Sequence, residues 1–282
     1  MTPYIAPDWL EIEKSFGDTA IGVLRARTYV PREAQSKALP VGVYGHSGGF
    51  CEGDLDSEDA LCRLVAYSCP CIVVSVEYRK APVNKPPIPF QDFLDGFLWA
   101  YDSAETLGGD RSKVFAFGCS AGGSLALATA HRLVEMGKGD VMKGVANCAG
   151  GTVHEQGVPP RLKDMYKAME ENSVGVPIID RQTTQIINDV AGLNEYSSDP
   201  WMFPLLSENL GKFPPTYLVA CGADPLRDDN VILASELQRL GVRTKIDVYD
   251  GMPHLFWTFA RFPPFQVFLS NLVGGIQFIL SD

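Results

Sequence analysis

The sequence predicts an α/β protein built on one open, mostly parallel sheet, and three observations carry that prediction. Apolar runs of strand length alternate with stretches of helical periodicity along most of the chain. The length of 282 residues suits one large domain with a substantial core and is short for two catalytic domains. At Ser120 a strand-like run, a glycine-rich turn and a small-residue helix follow one another without a gap.

The first 40 residues are the least regular; within them TAIGVLRARTYVP supplies one or two edge strands. Strand-like runs then occur at VGVYG (41–45), CIVVSVEY (71–78), KVFAFG (113–118), VMKGVANCAG (141–150), TYLVACG (216–222) and TKIDVYDG (244–251). Most are apolar rather than strictly alternating, which fits parallel strands covered on both faces. Helical patterning lies between and after them, at 55–68, 90–107, 121–136, 229–240 and 263–280. Residues 151–200 break the rhythm, with helix-like pieces and no convincing strand. A plain loop of about 50 residues is uncommon, so this stretch is expected to be a helical cap that shapes a pocket over the strand ends. No repeat, low-complexity tract or linker divides the chain, and 1–282 reads as one domain.

Composition narrows the function classes. Apolar residues make up 46% and charged residues 21%, ordinary globular values that argue against disorder. The net charge of −10 disfavours nucleic acid or an anionic membrane as main partner. No long apolar run suggests a membrane span, and the acidic start MTPYIAPDWLEIEKSFGD does not resemble a secretion signal. The seven cysteines, at 51, 62, 69, 71, 119, 148 and 221, sit mostly in apolar runs and form no even framework. Reduced thiols in the cytoplasm are expected. Cys69 and Cys71 have no second pair at zinc-binding spacing, so no metal or other cofactor is expected.

The chemistry is read outward from Ser120, which stands in Gly118, Cys119, Ser120, Ala121, Gly122. A G-x-S-x-G turn between strand and helix lifts a serine hydroxyl above the sheet, and the glycines make room for the strained backbone. The bland alternative is a helix-capping serine. A nucleophilic serine needs a base and an orienting acid, which follow it in that reversed order in this kind of fold: serine, acid, histidine. Four histidines are available. His254, after the last strand, is placed best; His131 is expected to face solvent on the helix after Ser120, and His154 falls in the cap. Asp224, first after the preceding strand and followed by Pro225, is the expected acid. Asp228 and Asp229 are read as caps of the next helix. The oxyanion needs backbone N–H groups, expected from Ser47, Gly48, Gly49 and Ala121. Ser47 lies in a second G-x-S-x-G and is a rival nucleophile, disfavoured because an acidic loop, not a helix, follows it.

Several ordered segments from about residue 41 onward, GHSGGF, SVEYRKAPVNKPPIPFQDFLDGFLWA, FGCSAGGSLAL, VACGADPLRDD and GMPHLFW, resemble the hormone-sensitive-lipase-like carboxylesterases of the α/β-hydrolase fold. The resemblance implies Ser120 as nucleophile, Asp224 as acid, His254 as base, and oxyanion donors at Ser47 to Gly49 and Ala121. It departs in three places: Ser47 replaces the first glycine of the usual HGGG loop, Cys119 replaces a common aspartate, and the N-terminal part is short. What it implies is hydrolysis of a carboxylic ester of a small, largely apolar molecule through an acyl-enzyme, without a cofactor. Phe50, Trp201, Met252, Leu255, Phe256 and Trp257 are candidates to line the pocket. Two other readings stay open. One is a tailoring thioesterase or cyclase of secondary metabolism, and the other a non-catalytic receptor on the same scaffold. The apolar C-terminal helix allows a homodimer contact.

Overall fold

The computed structural model describes residues 10–12, 18–19, 22–31, 38–259 and 261–281. Ten strands are present among them: β1 Leu10–Ile12, β2 Asp18–Thr19, β3 Gly22–Val23, β4 Arg25–Pro31, β5 Leu39–Gly45, β6 Ile72–Glu77, β7 Gly109–Cys119, β8 Gly144–Cys148, β9 Thr216–Ala223 and β10 Thr244–Pro253. β2 and β3 pair with each other, and the other eight form one sheet in the order β1-β4-β6-β5-β7-β8-β9-β10. From β6 to β10 every pairing is parallel, while β4 joins β6 and β1 joins β4 in antiparallel sense. The antiparallel edge is where the expected irregular strand lies. The short N-terminal segment itself falls largely outside the described residues.

Period-two alternation along the central strands feeds two separate cores. Val114 and Ala116 of β7 point into one, while Phe115 and Phe117 point into the other. The first core is covered by α2 (Ile88–Ser103), α3 (Ala121–Glu135) and α6 (Arg227–Arg239); the second by α1 (Asp59–Ser68) and α7 (Pro264–Leu280). Helices on both faces explain why these strands lack polar alternation. The expected helix at 55–68 begins only at Asp59 because Asp54 accepts hydrogen bonds from the N–H groups of Asp56 and Ser57, closing a turn first. The expected strand at 141–150 is shortened to Gly144–Cys148, preceded by a 3₁₀ turn at Gly139–Val141.

Between β8 and β9 the chain carries α4 (Ala168–Glu171), α5 (Arg181–Ala191) and several 3₁₀ turns, with no strand. Three consecutive side chains on the first turns of α6 hold the start of this segment. Asp228 accepts from the N–H groups of Lys167 and Ala168, Asp229 from those of Thr152 and Val153, and Asn230 accepts from Asn147 and donates to the Gly150 carbonyl. The two aspartates therefore do not cap α6, whose first turn follows Leu226 without a side-chain cap. Both are buried; in each, one oxygen goes to the connecting backbone while the other accepts a side chain, Arg227 Nε on Asp228 and the Tyr166 hydroxyl on Asp229.

The sheet order turns at β5, which lies between β6 and β7 although β6 follows it in sequence. A crevice opens outside the carboxyl ends of strands at such a switch point, where connections leave to opposite sides. The loop after β5 and the turn after β7 meet there.

Candidate active site

Ser120 follows β7 directly and has φ +50° and ψ −121°, a strained conformation for a residue with a side chain. Close packing leaves the flanking glycines no alternative: a Cβ on Gly118 or Gly122 would enter the backbone of Gly122 or of Gly45, respectively. The Ser120 N–H donates to the Cys148 carbonyl at 2.8 Å, tying the turn to β8. Although Ser120 stands at the N-cap of α3, its hydroxyl makes no cap bond. It meets His254 Nε2 at 2.9 Å instead.

His254 lies just past β10, and its Nδ1 is 2.7 Å from Asp224 Oδ2, at the end of β9. The other oxygen of Asp224 accepts the Leu226 N–H at 2.8 Å, which fixes the carboxylate. Asp224 and His254 are buried, at 0% and 2% exposure, so the pair is shielded from competing water. An ionised carboxylate on Nδ1 holds the proton there and leaves Nε2 free to accept from the serine hydroxyl. The three expected residues are thus brought together in one chain of hydrogen bonds. Ser47, the rival, has no histidine on its hydroxyl among the described residues.

The loop after β5 turns sharply, with φ +117° at Gly48, +60° at Gly49 and +63° at Phe50. The Ser47 N–H donates to Glu58 Oε2 at 2.9 Å, which removes Ser47 from the expected oxyanion donors because its only amide proton is already committed. The N–H groups of Gly48, Gly49 and Ala121 make no hydrogen bond among the described residues, and all three residues line the same cavity as Ser120. His46 is buried beneath the loop, and burial pushes its imidazole down to about 4, leaving it neutral.

The other two histidines are elsewhere. His131, expected at the surface, is buried at 1% because α3 is covered on both sides; its Nδ1 lies 2.9 Å from Ser207 Oγ, and burial lowers its basicity. His154 is buried in the connecting segment, with Nε2 2.8 Å from Asn194 Oδ1 and Nδ1 accepting the Gln156 N–H.

A cavity of about 520 Å³ opens over Ser120 and His254. Of the candidate lining residues, Phe50 and Leu255 border it. Trp201, Met252 and Trp257 do not, and neither does Phe256. Trp257 stacks on Phe268 at 4.1 Å in the second core, where Phe256 is also buried; Met252 packs against that core; Trp201 lies edge-on to Phe90 beneath the Arg132 guanidinium. Much of the opposite wall comes from the segment between β8 and β9, through Met169, Ile179, Ile186, Ile187, Val190 and Leu193. The signal for them is Ile179, Thr183, Ile186, Ile187 and Val190 at helical spacing in an otherwise polar stretch. Among the described residues no cluster of three or more His, Cys, Asp or Glu could hold a metal.

A family model described as the alpha/beta hydrolase fold matches residues 42–258. The chain belongs to this family. The versiconal hemiacetal acetate esterase of Dothistroma septosporum is 42% identical over 246 residues, covering 86% of this hydrolase and 74% of the relative. Among solved structures, a vibralactone cyclase superposes with TM-score 0.89 and 27% identity, over 97% of this chain and 81% of that one. A thermophilic carboxylesterase cloned from a metagenomic library gives TM-score 0.86 at 28% identity, covering 96% and 90%. Esterases recur among these relatives, and this alpha/beta hydrolase is an enzyme of the carboxylesterase type. No helix among its described residues is long and apolar enough to cross a membrane.

Proposed function

We propose that Ser120, His254 and Asp224 form the catalytic triad of an esterase acting on neutral, largely apolar small molecules. In acylation His254 Nε2 takes the Ser120 proton as Oγ attacks the ester carbonyl carbon. Asp224 stabilises the imidazolium that forms. The carbonyl oxygen, now negative, is received by the N–H groups of Gly48, Gly49 and Ala121. Collapse expels the alcohol, which takes the proton from His254, and water repeats the sequence to release the acid and regenerate Ser120. The observation that carries this reading is His254 standing between Ser120 Oγ at 2.9 Å and Asp224 Oδ2 at 2.7 Å.

The cavity lining argues for the charge of the substrate. Its ionisable side chains are Cys51, Glu52, Glu155 and His254, with no lysine or arginine, and Glu155 is paired with the Arg181 guanidinium behind it. A thioester of a phosphate-bearing carrier would find no lysine or arginine on this lining, so a neutral ester fits better. The residues 151–200 act as the cap over this cavity, within one domain. Relatives named for versiconal hemiacetal acetate ester cleavage and for vibralactone cyclisation support a tailoring role, with hydrolysis or lactone formation as the outcome. All seven cysteines are free and six are buried, which supports the cytoplasm as the setting. Self-association through α7 and the edge strand β10, where Val248 and Val267 are exposed, completes the reading.

Turnover of p-nitrophenyl acetate beside a coenzyme A thioester of the same acyl group tests this function. Hydrolysis of the neutral ester at a kcat/KM at least tenfold higher is expected, and abolition by Ser120→Ala. Preference for the thioester would overturn the substrate class; turnover surviving in Ser120→Ala would overturn the triad.

A further inference from the structure

Glu58 stands at the N-cap position of α1 yet makes no cap bond to its helix. Its side chain turns away to the loop after β5, where a single oxygen, Oε2, accepts both the Ser47 N–H at 2.9 Å and the Tyr44 hydroxyl at 2.5 Å. Tyr44, near the end of β5, is fully buried, so the acceptor is anchored to the strand that leads into the loop it holds. Burial raises the Glu58 carboxyl above its ordinary range in spite of the Tyr44 hydroxyl and the backbone and side-chain donors of Ser47. A desolvated carboxylate is a costly way to hold one peptide N–H, and a neutral acceptor would serve a purely structural need at lower cost.

The same loop is held at the next peptide group. His46 Nδ1 lies 2.6 Å from the Ser47 carbonyl oxygen, and since that oxygen can only accept, Nδ1 carries the proton. The Tyr78 hydroxyl donates to the His46 carbonyl at 2.9 Å. In a planar trans peptide the C=O and the following N–H point in opposite directions. With the Ser47 carbonyl drawn toward His46, the Gly48 N–H is turned the other way; with the Ser47 N–H drawn to Glu58, the preceding peptide cannot rotate to undo this. The segment then passes through φ +117° and +60° at Gly48 and Gly49, and the Gly48 carbonyl, accepting the N–H groups of Cys51 and Glu52 at 3.0 and 2.9 Å, carries the orientation set at Ser47 on to the Gly49 N–H.

We propose that Glu58 is a positioning residue for ester hydrolysis, holding the Ser47 peptide so that the next two N–H groups face the oxygen of the reacting carbonyl. The inference rests on the triad reading above and adds to it a residue that touches neither substrate nor triad. Because the negative charge on that oxygen develops on the way to the tetrahedral intermediate and is absent from the bound ester, misplacing its donors lowers kcat and leaves substrate affinity alone. Losing a whole donor costs about 10²–10³ in kcat, so loosening two of them should cost on the order of 10–10².

The test compares Glu58→Gln, Glu58→Leu and Glu58→Asp with wild type on p-nitrophenyl acetate, with Ser120→Ala as a control and thermal unfolding of each protein. In Glu58→Gln the amide oxygen can still accept the Ser47 N–H, and kcat is expected within about threefold of wild type. Glu58→Leu keeps the bulk and removes the acceptor; kcat should fall about 10–10²-fold with KM within twofold. Glu58→Asp, one methylene too short to reach both partners, should behave like Glu58→Leu and carries the test if the leucine variant does not fold. Unchanged kcat in a folded Glu58→Leu or Glu58→Asp, or a loss confined to KM, overturns the proposal. Equal losses in Glu58→Gln and Glu58→Leu overturn it too, since rescue by the isostere is what a positioning acceptor requires. Activity persisting in Ser120→Ala instead removes the triad reading, independently of Glu58.

Discussion

Around Ser120 the cavity wall is made of backbone and hydrogen-bonded polar side chains at the ends of β5, β7, β9 and β10. Across from it the wall is aliphatic, carried by α5 and its neighbours, in a segment whose start is held to α6 through Asp228 and Asp229. The first half is pinned by strained dihedrals and buried pairs, and small displacements there cost chemistry. The second half offers shape without directional bonds, and substitutions there should change which ester is accepted. Reactivity and selectivity are thus entrusted to different parts of the chain, which meet at Gly49, where a Cβ would lie 2.9 Å from Ile187.

The largest effects should come from the polar half. Ser120→Ala or His254→Ala is expected to lower kcat on the order of 10⁴–10⁶-fold, and Asp224→Asn about 10⁴-fold, while melting temperatures change little. Steady-state kinetics beside thermal melts checks this; comparable losses from an α5 variant would erase the distinction between the halves. Gly49→Ala should cost about 10² in kcat because it combines φ +60° with a clash on Ile187 exactly where donors and cap touch. A much larger effect on KM than on kcat would show that Gly49 belongs to the selective half.

The attachment of the two halves can be probed through Asp229. Its carboxylate accepts two backbone N–H groups and the Tyr166 hydroxyl, yet burial pushes its pKa up to about 7 from 3.8. Asp229→Ala leaves those donors unpaired and should cost about 2–4 kcal/mol, read by denaturant unfolding. The raised value has a definite sign: the folded protein holds this proton while the unfolded chain has released it, so stability falls as pH rises from about 4 to about 7. Neutral His46 contributes oppositely below its ordinary range, so the informative quantity is the difference between wild type and Asp229→Asn. That difference should shift in favour of Asp229→Asn between pH 5 and pH 8; a constant difference would mean Asp229 does not titrate there. The smallest effect belongs to the aliphatic wall. Ile187→Ala should alter kcat/KM about tenfold for a bulky aryl ester and hardly at all for an acetate, measured with a paired substrate series.

The same contrast explains what could be read without a structure. Strands covered on both faces announce themselves as unbroken apolar runs, and the elbow at Ser120 is legible because glycines at 118 and 122 are demanded by close backbone packing. Asp224 and His254 follow from their places after β9 and β10. The pocket was legible only at Phe50 and Leu255, which sit beside the motifs. Trp257 is two residues further on and already turned into the second core, since proximity in sequence says nothing about which face a side chain takes. The aliphatic wall escaped because α5 is polar overall, with its apolar stripe narrow. His131 is buried where its sequence suggests a solvent position for a related reason: the helix around it is covered on both sides, and its sequence does not say so.

The most direct test of the central claim is fluorophosphonate labelling of the purified protein, with the adduct located by peptide mass spectrometry in wild type, Ser120→Ala and His254→Ala. The account predicts a single adduct on Ser120, absent in Ser120→Ala and strongly slowed in His254→Ala. No adduct, an adduct on Ser47, or labelling of Ser120 that does not depend on His254 would contradict it.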